Sequence, residues 1–148
     1  LTLFPSDLLT KTLNNPDWMI ANYKNGYNDP KVRQLEVGSA GGIGTARSLA
    51  KLFSLVEQKR LIKNERILNI LKEPTVSNQN DKVLGIPLPF GWGFVYSKNP
   101  QGDWIFGHPG YGGQNVKLDL KNEVVYAYIT NSLKSSMGDH IQSFEWAF

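Results

Sequence analysis

An α+β fold is predicted for this chain, an antiparallel β-meander packed with helices, and three observations predict it. Residues 1–74 carry apolar side chains at helical spacing, and residues 83–131 are rich in Gly, aromatic and β-branched residues. Within that second stretch, turn signals recur about every eight to twelve positions. At 148 residues and 16.6 kDa the chain has the size of one domain. With 41% hydrophobic, 11% aromatic and 20% charged residues it falls outside the disordered, collagenous and coiled-coil classes. One domain over 1–148 is therefore expected, mainly helical with a Gly-rich crossing over 1–82, and strands followed by a C-terminal helix over 83–148.

The elements follow in order. Ser6 caps a short helix through Leu8, Leu9 and Leu13 that stops before Pro16. Thr45 caps a stronger one, with Leu49, Leu52, Phe53 and Val56 at three- and four-residue spacing and Arg47, Lys51 and Lys59 on the other face. Asn64 opens a third, in which Ile67, Leu68, Ile70 and Leu71 run up to Pro74. A polar surface loop is expected over Glu73 to Lys82.

Four strands then follow: Gly91 to Ser97, Asp103 to His108, Gln114 to Leu120 and Glu123 to Asn131. Asn99-Pro100-Gln101-Gly102 is the first hairpin turn, and Lys121-Asn122 is a two-residue reversal. Val116, Leu118 and Leu120 share one face while Lys117 and Asp119 share the other, so that strand is half-buried. The more uniformly apolar Glu123 to Ile129 is expected to lie deeper. A last helix, with Ile141, Phe144 and Phe148 after Asp139, packs across the sheet.

Composition narrows the function. The longest uncharged stretch near the middle, Val83 to Ser97, is broken by Gly and Pro and is shorter than a membrane-spanning helix, so no span is expected. With no Cys there is no thiolate nucleophile or disulfide framework, and with two His residues, His108 and His140, a metal site is poorly supplied. Neither a metal nor any cofactor is expected. The net charge of +3 is spread along the chain without a basic run, which argues against nucleic acid as a partner. The chain begins at Leu1 with no basic-then-apolar leader, and a fragment of a longer protein is expected.

Several motifs have plain structural readings. Gly38 to Thr45 leads into the strongest helix but lacks the spacing of a phosphate cradle, and a tight backbone crossing beside a site or another element is expected instead. Ser39 lies in a near match to the nucleophile elbow in which Val37 stands for the first Gly. The order Ser39, Asp119, His140 would suit an α/β-hydrolase, but the chain is short for that fold and strands do not alternate with helices. Ser48 to Lys51 fits Ser-x-x-Lys and Tyr23 to Asn25 fits Tyr-x-Asn, each at a frequency chance supplies.

The densest signal is Phe106-Gly107-His108-Pro109-Gly110-Tyr111-Gly112-Gly113-Gln114, a lone His among four Gly residues where one strand ends and the next begins. A His there can give a hydrogen bond or a proton to a leaving group, and neighbouring N–H groups can face an oxyanion. A Gly-rich turn with a solvent-facing His is the alternative.

The run Gly38 to Leu52, then Gly91-Trp92-Gly93, then Gly107-His108-Pro109-Gly110 to Gly113 and a hairpin ending Ile129-Thr130-Asn131, resembles the C-terminal portion of the serine β-lactamase-like superfamily. That superfamily holds penicillin-binding proteins, class C β-lactamases and related esterases. The animal mitochondrial serine β-lactamase-like proteins are the nearest in character, which implies a mitochondrial location.

The resemblance implies a partial domain of the β-lactamase/transpeptidase-like fold and a parent enzyme that hydrolyses an amide or ester through an acyl-enzyme. His108 would assist proton transfer or bind substrate, Gly110 would give the substrate room, and the Tyr111 N–H would supply half the oxyanion hole. Pro109 stands where the family has Thr or Ser, so an ester or peptide substrate is as well supported as a penicillin. The family order of Ser-x-x-Lys, Tyr, then His-x-Gly is not met by Tyr23, Ser48 and His108, so the nucleophile is expected upstream of Leu1 and this chain alone is expected to be inactive. Small-molecule or peptide substrates of the intact protein and a homo-oligomer are the expected partners. The alternative is a non-catalytic scaffold or self-assembling protein of the same fold.

Overall fold

The structure, a computed structural model, describes residues 26–131 together with Leu8, Thr10 and Lys11. All three of the latter are helical, as the first predicted helix requires. The remainder of that helix, Tyr23 and Asn25, and the C-terminal helix with His140 lie outside the described residues. The chain divides into two compact units, Leu1–Ile43 with Asn80–Ile86, and Gly44–Gln79 with Pro87–Phe148.

In the first unit a 3₁₀ turn, Gly26–Asn28, precedes the one-turn helix α1 (Pro30–Arg33). Asp29 caps α1 by accepting from the Lys31 N–H at 2.8 Å, with Pro30 at the position where a missing N–H costs nothing. Val37 to Gly41 form a turn in which the Ala40 and Gly41 N–H groups donate to the Val37 carbonyl. The predicted tight crossing is not found over Gly38 and Gly42, where an added Cβ would meet nothing within 4 Å. Gly41 is needed only by its own turn, since a Cβ there would come within 2.8 Å of the Val37 oxygen. Asp81 ties its loop together by accepting from the Val83 and Leu84 N–H groups at 2.9 and 2.7 Å.

The second unit holds the sheet. Helix α2 (Ala46–Glu57) starts at Thr45 with a reciprocal cap: the Ser48 N–H donates to Thr45 Oγ1 at 3.2 Å and the Thr45 N–H to Ser48 Oγ at 3.0 Å. Helix α3 (Glu65–Ile70) starts at Asn64, whose side chain accepts from the Arg66 N–H at 2.9 Å. Five strands follow as an antiparallel meander in chain order: β1 (Phe90–Gly91), β2 (Phe94–Lys98), β3 (Trp104–Pro109), β4 (Asn115–Asp119) and β5 (Val124–Tyr128). Val76, in the predicted loop, makes a paired bridge to Phe90 beside β1.

Strand register explains the core. Tyr96 faces Phe106, Phe106 faces Leu118, and Leu118 faces Val125, so one row of apolar side chains crosses four strands on the same face. Tyr96, Phe106 and Leu118 are buried together with Leu71, and Phe53 and Val56 of α2 pack onto them. Burying a side chain such as Leu118 contributes roughly 1.5–3 kcal/mol. The Tyr96 hydroxyl donates to the Leu71 carbonyl at 3.1 Å, which ties β2 to the end of α3, and burial pushes its pKa up so that it stays a neutral donor.

The sheet corrects several expectations. Gly91 to Ser97 is two strands, because Trp92 and Gly93 both take positive φ, 57° and 83°, and reverse the chain. β4 begins at Asn115 and ends at Asp119, and the reversal after it has four residues, Leu120 to Glu123. Its cause is the Asp119 carboxylate, which accepts from the Lys121 and Asn122 N–H groups at 3.0 Å each. β5 is half-buried along its length, and the buried residues concentrate on β3 and β4 in the middle of the meander. Leu52, at the margin of the α2 stripe, is 47% exposed, and in α3 Leu68 is buried while Ile67 and Ile70 are exposed.

Candidate functional site

β3 carries the signal residues to the edge of the core. His108 lies two residues beyond the buried Phe106, hence on the same sheet face, and is paired with Val116 across the ladder. Beneath that end Phe53, Phe94 and Phe106 form an aromatic cluster, with ring centroids 6.1 and 5.0 Å apart in sequence of contact. The imidazole itself is exposed. Its Nδ1 is 2.7 Å from the Pro109 carbonyl oxygen, and because a carbonyl only accepts, Nδ1 is the protonated nitrogen. In the tautomer with its one ring proton on Nδ1, Nε2 is an acceptor.

The turn after β3 is built by glycine and by Gln114. Gly110 donates its N–H to the Gln114 carbonyl at 2.7 Å, and a Cβ on Gly110 would come within 2.8 Å of Gln114 Cβ. Tyr111–Gly113 form a 3₁₀ turn with Gly112 and Gly113 at φ 76° and 103°, values that favour glycine. Tyr111 points its ring outward, 56% exposed, and among the described residues no hydrogen bond takes up its N–H. Gly107 makes the closest approach: a Cβ there would collide with the carbonyl oxygen of Val116 on β4. The glycine just before His108 thus serves strand pairing.

Gln114 was not singled out in the sequence. Its side-chain amide donates to the Thr130 carbonyl at 3.1 Å and accepts from the Thr130 N–H at 2.8 Å. The side chain imitates a backbone partner and extends the β4–β5 ladder past Tyr128. The available signal was a Gln set between a Gly run and an alternating strand. Asn99, read in the sequence as a turn residue, is also buried: its Oδ1 accepts from Gln101 and Asp103 N–H and its Nδ2 donates to Asp119 at 2.9 Å.

Other sequence candidates are not assembled with His108. Ser48 Oγ is engaged in the α2 cap and also donates to the Thr45 carbonyl at 2.9 Å. Lys51 is exposed one turn further along, and Ser39 is exposed in its own turn. Asp119 holds two hairpin turns at the far end of the sheet. Burial works to raise its pKa, but hydrogen bonds from Asn99, Asn122 and the Lys121 and Asn122 N–H groups outweigh it and hold the carboxyl below its ordinary value. The hollow lined by Lys98, Trp104, Phe106, Leu120 and Lys121 also sits at that far end, and Trp104 is about 13 Å along β3 from His108 at the usual strand rise. Among the described residues no three His, Cys, Asp or Glu side chains cluster as a metal site, and no helix is long and apolar enough to cross a membrane.

An antiparallel sheet backed by helices, with an exposed His and a Gly-rich turn at one strand end, is an α+β arrangement consistent with a β-lactamase-like fold. The chain matches the model of the beta-lactamase family over residues 5–144, and it belongs to that family. Neither the curated proteins nor the solved structures contain a match to it.

Proposed function

We propose that this chain supplies one wall of a serine acyl-transfer site, with the attacking Ser and its Lys and Tyr partners encoded outside the present sequence. His108 assists proton transfer or holds substrate through Nε2, Gly110 leaves room for the substrate, and the Tyr111 N–H gives half of an oxyanion hole. The observation that carries this reading is the pairing, on a beta-lactamase family chain, of an exposed imidazole oriented by Pro109 with an N–H three residues on that no described residue takes up. Engagement of Ser48 in the helix cap supports an external nucleophile. The substrate class is an amide or ester, and residues 1–148 are read as one partial domain. In this reading the chain resembles the animal mitochondrial proteins of the same superfamily.

The test uses the longer protein that includes the residues before Leu1. A fluorophosphonate labels it on a serine outside 1–148, His108→Ala slows that labelling about 100-fold, and the 148-residue chain takes no label. Label on the short chain that disappears in Ser48→Ala refutes the reading.

A self-assembling protein of the same fold is the second reading, favoured by apolar side chains left exposed on the two helices of the sheet unit, Leu52, Ile67 and Ile70. A sedimentation mass above that of one chain supports it, and a clean 16.6 kDa species counts against it.

A further inference from the structure

The end of the sheet away from His108 carries a charge where the strand pattern calls for an apolar side chain. Lys98 lies two residues beyond the buried Tyr96, on the core face of β2, and pairs with Trp104 on β3. Its ammonium stands 3.8 Å from the centre of the Trp104 ring. Beside it lies a hollow of about 490 Å³, a size usual for a small-molecule site. The end of α3, the β2–β3 hairpin and the reversal after β4 bound it. Trp104, Phe106 and Leu120 give it apolar walls, and, Gly102 apart, every other lining residue is charged.

The charges say what the hollow takes. Three ammonium groups, those of Lys72, Lys98 and Lys121, meet two carboxylates, those of Glu73 and Asp103. Lys121 donates to both Asp103 oxygens, at 2.9 and 2.8 Å, and so neutralises that carboxylate. Among the described residues no ion pair takes up Lys72 or Lys98. A cation held over a ring keeps its outward side for an anion, and the ring restrains the long lysine chain before any ligand arrives. Aromatic walls favour a flat ring over a flexible chain. A second copy would bring the same excess of lysine to this surface, so like charges oppose its docking there. We propose that the hollow binds a small aromatic carboxylate, its ring against Trp104 and Leu120 and its carboxylate paired with Lys98. The site stands apart from the His108–Tyr111 end and does not depend on how that end is read.

The experiment titrates the 148-residue chain with 2-naphthoate, 2-naphthylmethylammonium and the saturated decahydro-2-naphthoate. It follows the Trp104 indole with the Gly102 and Asp103 amides, and the His108 and Tyr111 amides as a second set. 2-Naphthoate is expected to move the Trp104 set alone, and to bind about tenfold more tightly than the ammonium and about threefold more tightly than the saturated acid. Lys98→Gln weakens 2-naphthoate about tenfold and Lys98→Arg keeps its affinity. Lys59→Gln, which removes the same charge at a distant exposed pair, changes nothing. Equal binding of the acid and the ammonium overturns the proposal, as does an unchanged affinity in Lys98→Gln. A saturated acid that binds as well overturns it too, because the walls are then plain apolar surface. Movement of His108 and Tyr111 in place of Trp104 puts the ligand on the other end of the sheet, and the proposal falls. If the Trp104 signals stay still, the hollow is no site, and a Lys98→Gln chain that then sediments as a dimer makes Lys98 a guard at the edge of β2.

Discussion

Gly107 and Gly110 bracket His108 and Pro109, and each is required by a different neighbour. At Gly107 a methyl group would have to displace the β4 backbone, so Gly107→Ala is expected to lose more than about 3 kcal/mol of stability, read as a fall in the urea midpoint. At Gly110 the obstacle is the Gln114 side chain, which can yield, and Gly110→Ala is expected to cost less and to shift the Tyr111 amide resonance. The Gly residues around His108 stand out in the sequence, and for Gly107 the reason is the close approach of the next strand. Asp119 sets a pH dependence. Its folded pKa is lowered, so its contribution is fully present above the ordinary carboxylate range and is lost as pH falls through the folded value, below about pH 4. Asp119→Asn is expected to lower the urea midpoint at pH 7 and to flatten the decline as pH falls below the ordinary carboxylate range.

At the scale of elements, both helix starts in the sheet unit were legible because capping is local chemistry. Thr45 and Asn64 are polar residues placed just before apolar periodicity, and both accept the expected N–H. Thr45→Ala is expected to cost about 1 kcal/mol through loss of the cap, measurable by thermal melting, with fraying confined to the first turn of α2. The hairpins were legible where turn residues follow their preferences, as at Asn99 to Gly102. They were missed where they do not: a Trp at positive φ carries no turn signal, so β1 and β2 read as one strand. The depth of β5 was misread for another reason. Apolar content says how much a strand can bury, whereas its place in the strand order decides how much it does. Gln114→Ala is expected to remove two hydrogen bonds to Thr130 and to raise amide exchange there and at the end of β5, because a side-chain clamp replaces the last rung of the ladder.

For the whole molecule, the proposal that the His108 end is one wall of a hydrolytic site requires that this chain do no acyl transfer by itself. Acyl transfer needs a hydroxyl made nucleophilic by an adjacent base and an oxyanion hole with more than one donor. The sequence marked the strand end where the exposed His108 and the Tyr111 N–H stand, since Gly residues around a lone His are visible without a structure. Trp92 was visible only as part of a Gly-Trp-Gly string, because its backbone strain has no signature in residue type alone. The hydroxyl nearest to a catalytic motif, that of Ser48, already bonds Thr45 at both its N–H and its carbonyl, and Lys51 is exposed to water, so neither is poised for attack. The 148-residue chain is accordingly expected to hydrolyse nitrocefin and 4-nitrophenyl acetate at the buffer rate. Ser48→Ala is expected to leave that rate unchanged while lowering the melting midpoint through the weakened cap of α2. The two readouts separate the roles available to Ser48: a structural hydroxyl moves the midpoint alone, and a nucleophile abolishes turnover. Turnover above buffer that disappears with Ser48 would put the nucleophile within this chain and make the His108 end one part of a complete site.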